Sequence, residues 1–167
     1  MPRDVYSRPP LTSEGCIVTS NHTLKKLGKY ISVGETPVIL VEKVKWIKRN
    51  EWHQNKNKAI EIISSWEETW ESLDPHAFIS KHSINFNSEK HNFEQRVAHI
   101  LRIIKNKTFI KVKIENLNLF YYPKTNGLIY SDFRQHYESN NFRTSSKKKL
   151  FWKIEKDGEW RILYEDT

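Results

Sequence analysis

IKVKIENLNLFY, residues 110–121, alternates apolar and polar positions twice, on two different parities. Ile110, Val112 and Ile114 share one face of an extended strand. Leu117, Leu119 and Tyr121 continue that face only if the chain slips by one residue between the two runs. A slip inside one apolar run predicts a β-bulge near Glu115-Asn116, and a bulge bends and twists the sheet that holds it. The remaining sequence must therefore supply partners for a curved sheet and a body to fill its hollow side.

Partners follow immediately downstream. Leu128 to Tyr137, Leu150 to Ile154 and Trp160 to Tyr164 read as further strands, and Asp157-Gly158 is a hairpin signal between the last two. The filling body lies upstream. Trp52, Ala59, Ile60, Ile62, Ile63, Trp66, Trp70 and Leu73 recur at three- and four-residue steps, the pattern of a long amphipathic helix. Asp74-Pro75 ends it, because the residue before proline is pushed away from helical dihedrals. Pro75 then opens a short helix carrying Phe78 and Ile79, and a third helix follows on Phe93, Val97, Ile100, Leu101 and Ile104. Residues 48–167 thus predict an α+β domain: three helices packed on a curved antiparallel sheet of about four strands.

Residues 1–47 read differently. Pro2, Pro9 and Pro10 with no apolar periodicity predict an extended loop. Ser20 and Asn21 are candidate N-caps for a short helix through Leu24, Leu27 and Tyr30. After Gly34, the continuous apolar run Pro37–Val41 predicts a strand buried on both faces. Such a strand needs neighbours that 47 residues do not supply, so this segment predicts part of a larger, mostly β unit.

Composition narrows the function classes. Aromatic residues make up 13% of the chain, six of them Trp, which marks a folded protein with a core. The formal net charge is +8, which permits an anionic partner without choosing one. Acidic residues are spread among the basic ones in both halves, which argues against nucleic acid. Lys147-Lys148-Lys149, the densest basic run, reads as a solvated strand end. A single cysteine excludes an internal disulfide. No run approaches the ~18 apolar residues of a membrane helix. The seven histidines show no metal-ligand spacing, so neither metal nor cofactor is expected.

Ser13-Glu14-Gly15-Cys16-Ile17-Val18 carries the sharpest chemistry. A thiolate is a good nucleophile, and glycine before it lets a substrate carbonyl approach backbone N–H groups that can serve as an oxyanion hole. Together with Tyr6-Ser7-Arg8-Pro9-Pro10, Ser20-Asn21 and Thr36-Pro37-Val38-Ile39, the string resembles the end of the YkuD-type L,D-transpeptidase catalytic domain. In that family the cysteine attacks the peptide stem of peptidoglycan at a meso-diaminopimelate residue, and the acyl-enzyme passes to an amine or to water. The resemblance implies Cys16 as nucleophile, Gly15 and Cys16 as oxyanion amides and Ser13 as part of the motif. The family's general base is a histidine in a His-Gly pair shortly upstream. Here no histidine precedes Cys16, and His22 lies downstream. A cysteine without its base loses a contribution of about 10²–10⁴-fold, so the chain is expected to be a C-terminal fragment that is inactive by itself.

The second segment also has a family look. Trp66-x-x-x-Trp70, Asp74, Phe78, Phe133-x-Gln135-x-Tyr137-x-Ser139, Lys149-Leu150-Phe151-Trp152 and Trp160 to Glu165 resemble the nuclear-transport-factor-2-like domain. The resemblance is to the version fused behind L,D-transpeptidase domains in cell-shape L,D-carboxypeptidases. It implies a cone with a pocket between sheet and long helix, for which Trp66, Trp70, Tyr130, Phe133, Tyr137 and Trp152 are candidate lining residues. Asp132, Arg134 and His136 fall on the opposite strand face from Phe133 and Tyr137 and read as solvated.

Two functions are carried forward. One is the nucleophile motif and accessory domain of a peptidoglycan-modifying enzyme, with stem peptides as partner. The alternative is a stand-alone binding module for a small apolar ligand or a protein partner, including a second copy. The relatives implied work in the periplasm. Met1-Pro2-Arg3-Asp4 lacks the apolar core of a secretory signal, so the chain as written is expected in the cytoplasm.

Overall fold

The computed structural model describes residues 15–34, 36–122, 125 and 127–166. It forms two compact units, Met1–Val44 and Lys45–Thr167.

In the first unit, helix α1 (Asn21–Leu27) starts where Ser20 caps it, the Ser20 hydroxyl accepting from Thr23 N at 3.2 Å. The strand expected at Pro37–Val41 does not form. These residues lie outside any strand, with Val38 68% and Leu40 71% exposed. The unit holds no strand at all among its described residues, which corrects the expectation of a mostly β segment. The physical reason is the one that made the prediction conditional: an extended run becomes a strand only where a neighbour takes its backbone hydrogen bonds.

In the second unit, α2 (Arg49–Glu71) buries Ala59, Ile63, Trp66 and Trp70, spaced by four, three and four residues on one face. Trp52 and Ile60, read as part of that stripe, stay 49% and 38% exposed. Leu73, at φ 61, turns the chain after α2. Asp74 then caps α3 (Pro75–Ile79), its Oδ1 accepting from His76 N at 2.8 Å and Ala77 N at 3.2 Å. Strand β1 (His82–Ser88) follows, then α4 (Phe93–Ile104), opened by a capping box in which Asn92 and Gln95 exchange side-chain and backbone bonds of 3.0 Å.

Strands β2 (Ile110–Tyr121), β3 (Leu128–Ser139), β4 (Phe142–Ile154) and β5 (Trp160–Asp166) form the expected antiparallel meander. The β2–β3 register shifts between Glu115 and Asn118, with Asn116 at φ 55, so the bulge sits where the parity slip put it. Gly158, at φ 85, closes the turn from β4 to β5 by donating to the Glu155 carbonyl at 3.0 Å.

The sheet order is β1-β5-β4-β3-β2, and β1 runs parallel to β5. The sheet is therefore mixed rather than wholly antiparallel. β1 escapes sequence reading because its burial breaks period two: Ile84 is 69% exposed while Phe86 is buried, with a register shift between His82 and Asn87.

The core sits between α2 and the sheet. The Trp66 ring lies 5.8 Å from Phe133 and 6.4 Å from Trp152, and Trp70 stacks on Phe78 at 4.1 Å. Among the described residues no helix is long and apolar enough to cross a membrane.

Candidate functional site

Two regions carry candidate chemistry. In the first unit, Gly15 (φ 92) and Cys16 are exposed and lie ahead of α1. The left-handed conformation of Gly15 suits glycine. Ser13 falls outside the described residues. His22 is exposed in the first turn of α1.

In the second unit, a cavity of about 630 Å³ opens between α2, α4 and the hollow face of β3 and β4. That size suits a small ligand. Strand alternation decides what enters it. On β3 the odd positions 131, 133, 135, 137 and 139 are buried on the core side. Trp66, Trp70 and Tyr137 line the cavity. Phe133 and Trp152 are fully buried in the core, where Trp152 Nε1 donates to Ser131 Oγ at 2.9 Å.

Tyr130 belongs to the other parity and faces the outer side. There it packs against Phe151 at 5.1 Å and Phe120 at 6.4 Å and donates to Asp132 Oδ2 at 3.3 Å. Burial, with the Asp132 charge and hydrogen bond, pushes its hydroxyl pKa up to about 12. Tyr130 is thus removed from the cone. Its even number beside Phe133 and Tyr137 already said so. Asp132, read as solvated, is 6% exposed, whereas Arg134 is exposed and His136 meets Glu115 at 2.9 Å.

The charged lining was not foreseen. Arg96, His99 and Arg102 descend one face of α4 at three-residue steps, Lys107 follows the helix, and Lys148 enters from β4. Lys148 shares its strand face with Leu150 and Trp152, so the basic run is split rather than solvated. Lys148 points inward at 13% exposure, and Lys149 meets Asp166 at 2.6 Å.

A buried ion cluster underlies this wall. Glu165, 6% exposed, accepts from Arg96 Nη2 at 2.9 Å and from Lys148 Nζ. Burial would raise the Glu165 pKa, but Arg96 and Lys148 outweigh it and hold it at about 2. His82 Nδ1 lies 3.1 Å from the Phe78 carbonyl, and Arg96 Nε donates to His82 Nε2 at 3.4 Å. Those contacts fix a neutral ring with the proton on Nδ1. Burial, followed by the Arg96 charge, lowers the His82 pKa to about 4.

Trp66 Nε1 and Gln135 Oε1 belong to residues that line the cavity, but both atoms are buried away from it and make no hydrogen bond among the described residues. Ser139, beside Tyr137, accepts from Lys107 Nζ at 2.9 Å and donates to the Phe142 carbonyl at 3.1 Å; burial raises the Tyr137 pKa, and the Ser139 hydroxyl opposes that rise. A second, smaller hollow of about 270 Å³ between the first turns of α2 and the end of β2 is walled by Trp52, Ile60, Leu117 and Leu119 and holds none of these atoms. Among the described residues no group of three or more His, Cys, Asp or Glu side chains could hold a metal ion.

With this geometry in place, comparisons with known proteins locate the chain. Bd1075 of Bdellovibrio bacteriovorus superposes with a TM-score of 0.79 at 23% identity, covering 91% of this chain and 55% of its own. The K307A mutant of Pgp2, the helical cell shape determining protein of Campylobacter jejuni, gives 0.67 at 24% identity, covering 91% and 53%. An NTF2-like protein of unknown function from Pseudomonas putida KT2440 gives 0.57 at 10% identity, covering 68% and 84%. At these identities the likeness establishes the fold, and the chain spans about half the length of the first two proteins. No curated protein matches by sequence. The family model of the Cds6 C-terminal NTF2-like domain matches residues 57–166, and the chain belongs to that family.

Proposed function

We propose that the chain carries the nucleophile segment and the non-catalytic accessory domain of a peptidoglycan-modifying L,D-transpeptidase or L,D-carboxypeptidase. In this reading Cys16, Gly15 and Ser13 are the motif. The domain from Lys45 onward holds peptidoglycan stem peptides or a partner protein through its cone. The observation that carries the reading is the order of two segments: a cysteine motif at residues 13–18, then a Cds6-type domain over residues 57–166. The superposition on the Campylobacter cell-shape protein supports it, since a match over 91% of the chain is more than Lys45–Thr167 alone can supply. Its setting is then the periplasm.

A thiol with no general base in reach loses about 10²–10⁴-fold, and His22, the histidine nearest Cys16 in the sequence, stands exposed in the first turn of α1, so release of D-alanine is not expected. The test mixes the full chain with purified sacculi and with a soluble tetrapeptide stem. The expected result is retention on sacculi without release of D-alanine. Absence of retention overturns the accessory role, and D-alanine release abolished by Cys16→Ala overturns the inactivity.

The binding-module alternative shares the same cavity, and the aromatic wall of Trp66, Trp70 and Tyr137 is what favours it. A small ligand held there without affinity for sacculi would select it.

A further inference from the structure

Helix α2 is longer than the core it serves. It runs from Arg49 to Glu71, yet its first buried residue is Ala59. Nearly three turns therefore stand clear of the interior, although packing of an apolar face is what holds most helices of a folded protein. That free length is not polar throughout. Trp52 precedes Ala59 by two turns, on the face that the core uses further along, and it stays half exposed. Just ahead of the helix, Trp46 is 89% exposed. Ile47, Trp52, Ile60, Leu117 and Leu119 wall the hollow of about 270 Å³, with Tyr121 on the β2 side.

Around this apolar strip the chain is basic. Residues 45–58 hold Lys45, Lys48, Arg49, Lys56 and Lys58 against a single acid, Glu51. All five cations are exposed, and none makes an ion pair among the described residues. Lys56 Nζ stands over the Trp52 ring at 5.3 Å from its centre, so cation and indole share one surface. Exposed tryptophans among unanswered cations fit a partner that is anionic outside and apolar within. A second copy does not supply one, because a two-fold contact would set this cationic patch against itself. An anionic lipid bilayer does. Indoles settle at the boundary between headgroup and hydrocarbon. Lysines beside them keep their ammonium groups among the phosphates while their stems follow the apolar surface.

We propose that the stretch from Lys45 to Ile60 docks the second unit on an anionic lipid surface. Trp46 enters the headgroup boundary, and Lys45, Lys48 and Arg49 meet lipid phosphates. Trp52 and the hollow beside it take the apolar margin of the lipid. The contact is peripheral, since no helix among the described residues is long and apolar enough to cross a membrane. It uses none of the residues that line the larger cavity, so that cavity and this surface are separate features of the domain.

The experiment floats the full chain with vesicles of phosphatidylcholine alone and of phosphatidylcholine mixed with phosphatidylglycerol. Binding is expected only to the mixture, and added salt should weaken it. Brominated acyl chains in the mixture should quench tryptophan emission. Trp46→Phe should remove a large part of that quenching, because Trp66, Trp70 and Trp152 are buried. Each cation near an anionic surface is worth about fivefold in affinity, so Lys45→Gln, Lys48→Gln and Arg49→Gln together should lose about a hundredfold. The matched set Lys111→Gln, Arg134→Gln and Lys153→Gln removes the same charge from exposed positions of the sheet and should lose far less. All these positions lie outside the buried apolar cluster, so near-ultraviolet dichroism should be unchanged in each variant. No binding to the mixture, bound protein without quenching, or equal losses in the two sets overturns the assignment. Tighter binding to soluble polyglutamate than to vesicles also overturns it and makes an acidic protein segment the partner. Sacculus retention is scored separately, so failure on vesicles leaves the peptidoglycan reading standing.

Discussion

Asn116 shows how much one residue can decide. It holds φ 55 at the register shift of β2, a left-handed conformation that asparagine tolerates and β-branched residues resist. Asn116→Val should therefore lower the unfolding free energy by about 1–2 kcal/mol, whereas Asn116→Gly should stay within about 0.5 kcal/mol of the parent. Denaturant titration distinguishes them, and equal losses would mean that the bulge conformation is not what asparagine supplies. The bulge was legible because hydrophobic parity is a local signal. Tyr130 was equally legible by parity, being two steps from Asp132 and three from Phe133, yet aromatic character drew it into the pocket. The structure puts it on the outer face with Phe120 and Phe151.

At the scale of elements, β1, α4 and β5 are joined by a buried charge cluster rather than by apolar packing alone. His82 belongs to β1, Arg96 to α4 and Glu165 to β5. The unfolded chain protonates His82 near 6.5, while the folded chain does so only near 4. Between those values the unfolded state binds more protons, so stability falls as pH falls. His82 alone should cost roughly 3 kcal/mol across that window. His99, also depressed, adds the same sign. Glu165 continues the loss between 4.5 and about 2, where its folded carboxylate still resists protonation. Denaturation at a series of pH values should show this slope, and His82→Gln should flatten it between 6.5 and 4 whatever its effect on the plateau. A slope unchanged in that variant would place the titration elsewhere.

Elements with regular periodicity were readable: the buried stripe of α2, the apolar face of α4 and the meander β2–β5. Those shaped by tertiary partners were not. β1 alternates irregularly and borrows its regularity from β5. Pro37–Val41 has the composition of a strand and none of the hydrogen-bonding neighbours among the described residues. The cations of α4 were hidden for a related reason. Polar residues at three-residue steps mark the solvent face of most helices, and only the sheet curling across α4 turns that face into a cavity wall.

For the whole molecule, the decisive fact is where the core begins. The buried apolar cluster runs from Ala59 to Ile162, entirely within Lys45–Thr167. Its largest members, Trp66, Trp152, Phe78 and Phe133, come from α2, α3, β3 and β4, so each layer contributes to one continuous interior. A domain of this size with a single closed core has what independent folding requires. Residues 45–167 expressed alone should therefore unfold in one cooperative transition. Their near-ultraviolet dichroism should be strong and their tryptophan emission blue-shifted, because Trp66 and Trp152 stay dry. Helical far-ultraviolet signal without near-ultraviolet structure would show that packing of this interior depends on chain outside it.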